Sequence, residues 1–404
     1  MTTAAAVLIA ALAASPTPNR FVLHEWGTFT SVAGEDGAPI EWRPLAAPSD
    51  LPSFVYNQHR PGERFRARDK GDQSARIRME TPVIYFYVDQ PTEVSLKVEF
   101  PSGTITEWYP FARQTWGGTR LDDVEERRKL ALHPLQPEAG GIDWGKFKVL
   151  PNTYPVLPTE PKPSHYYPAR EVDAAPVQVC GDDGAVEHEK FLFYRGVGNF
   201  ALPLQVKLDG PSLRLSGFFG KALIYERAGA RVGVRAVDVR GDTGALRPEL
   251  NGRVEDAREA VLKALLETGL YEKEAKAMVA TWKDSWFEDG LRVIYVLPRT
   301  TTDELLPLTV TPQPTETVRV LVGRIELLDA QRVAQLRAAL LLAWKAGGIR
   351  QRAMEDKLHL EQGRFAEPLL TRALAVATHE KERAHLQAVL QKWSSEASGS
   401  AAVQ

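Results

Sequence analysis

The chain has 404 residues, 44% hydrophobic and 25% charged, the balance of a globular protein with a full core and too long for one ordinary domain. Its 50 basic and 52 acidic residues leave a net charge of −2, which supplies no global field for nucleic acid or an anionic membrane. The single cysteine, Cys180, excludes an internal disulfide, and its place at a strand end predicts a small core residue.

Residues 1–15 read as a secretory signal peptide. Ala4 to Ala14 is an apolar run too short to span a bilayer, Ala11-Leu12-Ala13 fits a small-x-small cleavage site, and Pro16-Thr17-Pro18 follows. No Lys or Arg precedes the run, which departs from the usual pattern. The expectation is a periplasmic or secreted protein with no transmembrane helix in its mature form; the alternative is a cytoplasmic protein with an Ala-rich start.

Residues 20–250 read as a β-rich region. Phe21 to Trp26 opens it, and Val83 to Val88 is a run of β-formers. Val94 to Phe100 alternates between apolar and polar residues, and Pro101-Ser102-Gly103 turns it toward Thr104 to Tyr109 as a hairpin. Val177 to Cys180 and Val186 to Tyr194 flank Gly181 to Gly184 as a second hairpin. Phe191 to Tyr194 is apolar on both faces, so that strand is expected to be buried on both sides. Pro151 to Pro176 holds seven prolines in 26 residues, which excludes helix and a central strand and leaves a long ordered loop.

Residues 251–290 carry helical spacing and form a helical insertion, with Gly269 as a stop signal. Trp282 and Trp286 share one face of it and are expected in the core. Strand character returns over 291–328. From Asp329, a candidate N-cap, residues 329–393 hold four helical patterns, with Gly347-Gly348 ending the first. Residues 394–404 are expected to be a disordered tail. The fold class is therefore mainly β, an antiparallel sandwich or barrel-like arrangement, with a helical insertion and a C-terminal helical bundle or strap.

No GxSxG, Walker A, GxGxxG, CxxC or HExxH motif occurs, and the eight histidines do not cluster. Neither a cofactor nor a metal site is expected. The candidate ligand-binding residues are His165, Tyr166 and Arg170 in the Pro-stiffened loop, and Glu187, Glu189 and Arg195 on or beside the buried strand. A stiff polar-aromatic loop loses little entropy on binding. Glu187 and Glu189 lie two apart on one strand and share a face, as paired acid–base carboxylates would. An Arg at the end of a core strand can capture a carboxylate or phosphate. Two functions follow. The first is an exported β-rich protein binding a ligand or partner at the cell envelope, the partner being a small molecule, carbohydrate or protein and not nucleic acid. The second is an extracytoplasmic hydrolase with a carboxylate/His site.

Overall fold

The computed structural model describes residues 20–45, 51–58, 74–117 and 139–400, with side chains as far as Trp393. Sixteen strands among these residues form two sheets. The first sheet runs β11 (Gln205–Asp209), β12 (Ser212–Ala228), β14 (Gly290–Val296), β16 (Glu316–Leu328), β1 (Phe21–Gly34), β3 (Ile77–Val88), β10 (Leu192–Gly198), β5 (Gly103–Tyr109) and β2 (Tyr56–Asn57), with β13 (Arg231–Leu246) beside β12. The second runs β15 (Leu308–Thr311), β4 (Thr92–Phe100), β7 (Gly140–Val149), β8 (Val177–Cys180) and β9 (Val186–Glu189), with β6 (Gln114–Trp116) beside β7. Pairing is antiparallel except between β1 and β16, which run parallel at the centre of the first sheet. The two sheets pack as a sandwich, and among the described residues neither closes into a barrel.

The first sheet is a middle layer. One face meets the second sheet through Leu23, Ile84, Phe86, Leu192 and Tyr194 against Val94, Leu96, Phe100, Trp144 and Phe147. The other face carries Trp26, Val83, Tyr85 and Phe193. It is covered by α1 (Val254–Leu266), α2 (Glu272–Thr281), α3 (Lys283–Trp286) and the loop around Tyr166. A strand covered on both faces must be apolar on both, which explains why Phe191 to Tyr194 is wholly buried. Trp282 and Trp286 are buried in the same layer. The short helix α4 (Arg299–Leu305) links β14 to β15.

The C-terminal helices are α5 (Ala330–Ala346), α6 (Gly348–Gln362), α7 (Ala366–Val376) and α8 (Glu380–Ser400). The Asp329 side chain caps α5 by accepting from the Arg332 N–H at 2.9 Å, and Gly347 ends that helix at a φ of 62°. Leu336, Leu340, Leu369, Leu370, Leu386 and Trp393 form the bundle core and pack on Val32, Ile40, Trp42 and Leu328. The bundle thus covers the ends of β1 and β16. Limited proteolysis is expected to cut at the Gly347-Gly348 junction, where Gly348 is exposed, before it cuts between Val83 and Tyr109; first cleavage within β3 to β5, read by mass spectrometry, would contradict this order.

Four expectations need correction. Thr92–Phe100 and Gly103–Tyr109 are not a hairpin: β4 pairs with β15 and β7, whereas β5 pairs with β10 and β2. Alternation shows that a segment is a strand, not which strand it pairs with. Here β4 is buried on one face and β5 on nearly every residue, so the chain changes sheets at Pro101-Ser102. The run from Val186 to Tyr194 is likewise broken at Lys190-Phe191, which puts Glu187 and Glu189 in the second sheet and Arg195 in the first. Cys180 is exposed, because β8 ends at the turn to β9. The C-terminal helix continues to Ser400, past the expected start of a disordered tail at Ser394: Ser, Glu and Ala tolerate a helix once the preceding turns are packed.

A bulge sets the register next to the centre of the first sheet. Thr81 and Pro82 together oppose Gly27, and Thr81 sits at a φ of 49°, which a β-branched residue adopts only under constraint. The bulge brings Glu80 to the same face as Val83. A Cβ on Gly27 would lie 2.8 Å from the Pro82 Cα, so Gly27→Ala is expected to lower stability by about 1–3 kcal/mol in a denaturant titration; an unchanged midpoint would contradict the contact.

Candidate functional site

Three of the six candidate residues meet. Arg170, at the end of the 3-10 turn Tyr167–Arg170, grips Glu189 through Nε at 3.0 Å and Nη2 at 2.6 Å. The Tyr166 hydroxyl donates to Glu189 at 3.0 Å and the Lys190 N–H at 2.7 Å, so the carboxylate is fully engaged. Burial pushes the Glu189 carboxyl above its ordinary range even against Arg170, while Glu189 holds Arg170 protonated against its own burial. Burial also raises the Tyr166 phenol well above its usual value, with Glu189 adding to the effect. The Arg170 guanidinium lies 5.1 Å from the Tyr167 ring centroid and 5.5 Å from that of Tyr166.

The other three have separate surroundings. Glu187 accepts from the Tyr56 hydroxyl and from the Phe111 N–H, each at 2.7 Å. His165 lies against Trp282, with ring centroids 5.3 Å apart. Arg195 is held side-on by Glu107, Nε and Nη2 each 2.8 Å from a carboxylate oxygen, both residues almost wholly buried. Tyr166, Arg170 and Glu189 therefore form a clamp that does not include Arg195.

What the clamp holds is the Pro-rich segment. The loop leaves and re-enters the second sheet at one point, where the Leu150 N–H reaches the Pro176 carbonyl at 2.9 Å. Arg170 Nη2 donates to the Pro158 carbonyl at 2.9 Å, the Glu160 N–H donates to the Tyr167 hydroxyl at 2.9 Å, and the Ser53 N–H donates to the Glu160 carboxylate at 2.8 Å. The Tyr85 hydroxyl fixes the Ala169 carbonyl at 2.7 Å from below. On this pinned backbone Tyr154 is 92% exposed and Val156 94% exposed. Pro155 and Pro158 restrict the residues before them to extended conformations.

Three buried polar centres escaped the sequence reading. Glu25 accepts from Arg319 Nε and from the Tyr194 hydroxyl at 2.5 Å each, with both charged side chains fully buried. Glu25 keeps Arg319 protonated against the cost of its burial. On the opposite face of β1, His24 Nδ1 lies 2.8 Å from Glu274, which also accepts from the Tyr87 hydroxyl and the Tyr271 N–H at 2.8 Å each. His24 and Glu274 have no exposed surface, so this dyad is closed to a substrate. The third centre lies between the helical insertion and the C-terminal bundle. Arg324 Nη2 at 2.6 Å and Arg364 Nη2 at 2.5 Å share one oxygen of Glu288. Glu326 joins Arg324, Arg292 and Arg332, and Glu80 joins Arg364 and Arg78. The available signal was a charge inside an apolar strand, as in Arg319-Val320-Leu321-Val322-Gly323-Arg324: a buried charge demands a partner, but spacing along the chain cannot name it.

Burial alone would raise the Glu288 carboxyl, but Arg364, Arg324 and Arg292 hold it down at about 2. A carboxylate depressed in the folded state adds stability above its ordinary value near 4.5, and that stability is lost as pH falls through the folded value. The melting temperature is expected to fall on acidification from about pH 4.5 toward 2, and to fall less steeply in Glu288→Gln. Identical acid profiles would refute this assignment.

Among the described residues no group of three His, Cys, Asp or Glu side chains is placed to hold a metal ion, and no helix is long and apolar enough to cross a membrane. No protein-family model matches the chain, and no curated protein matches it. Among solved structures it is similar to the Fcho1 Mu homology domain of Danio rerio with a bound Eps15 peptide, at 6% sequence identity and a TM-score of 0.24, over 77% of this chain and 97% of that one. At that TM-score the likeness carries no inference about function.

Proposed function

We propose that this chain is an exported protein of the cell envelope that binds a protein partner through the Pro-rich strap 151–163. The observation that carries the reading is the exposed pair Tyr154 and Val156 on a backbone pinned through Pro158 and Glu160. An aromatic and a branched aliphatic side chain both facing water gain most from a partner's apolar groove. A strap already pinned by hydrogen bonds and prolines forfeits little entropy on docking, and proline-spaced segments are the usual ligands of aromatic-lined grooves. In this reading Tyr166, Arg170 and Glu189 are positioning residues, not a catalytic set. The hydrolase reading has less support: Glu187 and Glu189 are each committed to neighbours, His165 packs on Trp282, and the His24–Glu274 dyad has no exposed surface.

The test is photo-crosslinking in the native host, with a photoreactive phenylalanine in place of Tyr154 and, as a control, in place of the exposed Lys207. A discrete adduct from position 154 alone, recovered in the envelope fraction, is expected. No adduct, or the same adducts from both positions, would end the proposal. The export half rests on residues 1–15, which lie outside the described residues. N-terminal sequencing of the native protein is expected to begin between Ala14 and Asn19; intact Met1 on protein recovered from the cytosol would contradict export.

A further inference from the structure

We propose that the charged centre around Arg324 and Arg364 is a binding site for a doubly charged tetrahedral oxyanion of the phosphate or sulfate class, whose place the Glu288 carboxylate takes in the present state. The inference is independent of the strap.

The first ground is charge balance. Within the network four guanidinium groups, Arg292, Arg324, Arg332 and Arg364, face three carboxylates, Glu80, Glu288 and Glu326, and Glu80 is also shared with Arg78. Among these described residues one positive charge is left over. Three of the guanidinium groups, Arg324, Arg332 and Arg364, also surround the single ring of Phe365 at 5.0 to 5.6 Å. A ring face eases this crowding but adds no negative charge. Uncompensated buried charge costs several kcal/mol per ion, and a chain that needed only a structural tie here would balance its acids and bases.

The second ground is unused donors. Arg324 is wholly buried, yet among the described residues its Nε and Nη1 have no acceptor, and neither has Nε of Arg364. Only the Nη2 of Arg324 is engaged, and it is divided between Glu288 and Glu326. Burial and the neighbouring Arg364 and Arg292 lower the Arg324 pKa to about 10, the direction expected of a guanidinium short of counter-charge.

The third ground is access. Arg324, Arg292 and Glu326 are sealed, whereas Arg364, Arg332 and Glu288 keep 14%, 24% and 33% of their side-chain surface in contact with solvent. The carboxylate that bridges Arg324 and Arg364 is thus the most exposed member of the cluster, and it holds both guanidinium groups through one oxygen. An arriving oxyanion can replace that oxygen while Glu288 swings into water. It would bring more acceptor oxygens and one more negative charge than the side chain it displaces. The bulge at Thr81-Pro82 brings Glu80 to this face, and a strained bulge beside a charge cluster is common at binding sites.

The experiment is thermal melting of the full chain in sulfate, in phosphate and in chloride at equal ionic strength, for the unaltered protein, Glu288→Gln and Arg364→Gln. Sulfate and phosphate are expected to raise the melting temperature of the unaltered protein above its value in chloride. The rise should be larger in Glu288→Gln, where the competing carboxylate is gone, with an apparent affinity about tenfold tighter. It should vanish in Arg364→Gln. If Arg364→Gln does not fold, Arg332→Gln, whose group lies at the rim, takes its place. Glycerol 3-phosphate separates the two sources of this chemistry: stabilisation by it as well means that the site accepts a phosphate carried on a larger molecule, and stabilisation by the inorganic ions alone means an enclosed ion. Equal melting in all three salts, an oxyanion effect that survives Arg364→Gln, or a Glu288→Gln variant destabilised alike in every salt would each overturn the proposal.

Discussion

Replacing Arg195 with Ala is expected to lower the stability of the fold by about 3–5 kcal/mol and to leave partner crosslinking from the strap intact at temperatures where the variant is folded. The size follows from geometry. Two parallel hydrogen bonds of 2.8 Å join the guanidinium to Glu107, and neither side chain has more than 3% of its surface exposed. Removing the guanidinium strips a buried carboxylate of its side-on partner, and most of the cost is the desolvation of that carboxylate. A conservative Glu107→Gln should cost less, because the amide carries no charge. A melting temperature for Arg195→Ala near that of the unaltered protein, together with lost crosslinking, would assign Arg195 to the binding surface and refute the structural role given to it here.

A second large effect is expected at Glu25 of β1 and its partner Arg319. Arg319→Met should destabilise the protein by about 3–5 kcal/mol, since Glu25 would then be a fully buried carboxylate with only the Tyr194 hydroxyl to answer it. The joint change Glu25→Gln and Arg319→Met should be milder than the sum of its parts, with a coupling of roughly 2 kcal/mol or more in a double-mutant cycle. A buried pair replaced whole by neutral groups is often close to neutral in stability, whereas a pair cut in half is not. Additive single and double variants, measured by denaturant titration, would show that the two side chains do not act as a pair.

The sequence conveyed elements better than partners. Val83 to Val88 and Phe191 to Tyr194 were legible because a strand covered on both faces must be apolar throughout, and both are. Asp329 and Gly347 marked the ends of α5 because capping is local chemistry. The pairing of β1 with β16 was not legible: Thr28 and Val322 are 294 residues apart in sequence, and nothing near either one names the other. The same limit produced the false hairpin at Pro101 to Gly103, where good turn chemistry hides a change of sheet. Of the candidate residues, Tyr166, Arg170 and Glu189 came together because a stiff loop and a strand end were both rich in groups that bond each other. Arg195 was separated from them by the break at Lys190-Phe191, a bend that the continuous apolar run concealed. The centre around Arg324 needed contributions from three strands, a loop and the bundle at once, and only the fold assembles them.

Under the proposed function, partner binding resides on the exposed strap, while the buried pairs Arg195–Glu107 and Arg319–Glu25 serve the fold. The most direct measurement is the yield of the adduct from a photoreactive residue at position 154, with and without Val156→Asp, taken alongside the melting temperature of each protein. Val156 is 94% exposed, so the added carboxylate should change stability by no more than about 0.5 kcal/mol. The same charge placed in an apolar groove should abolish the adduct. Loss of the adduct at an unchanged melting temperature is the predicted result. An adduct that persists at full yield with Asp at position 156 would contradict the account.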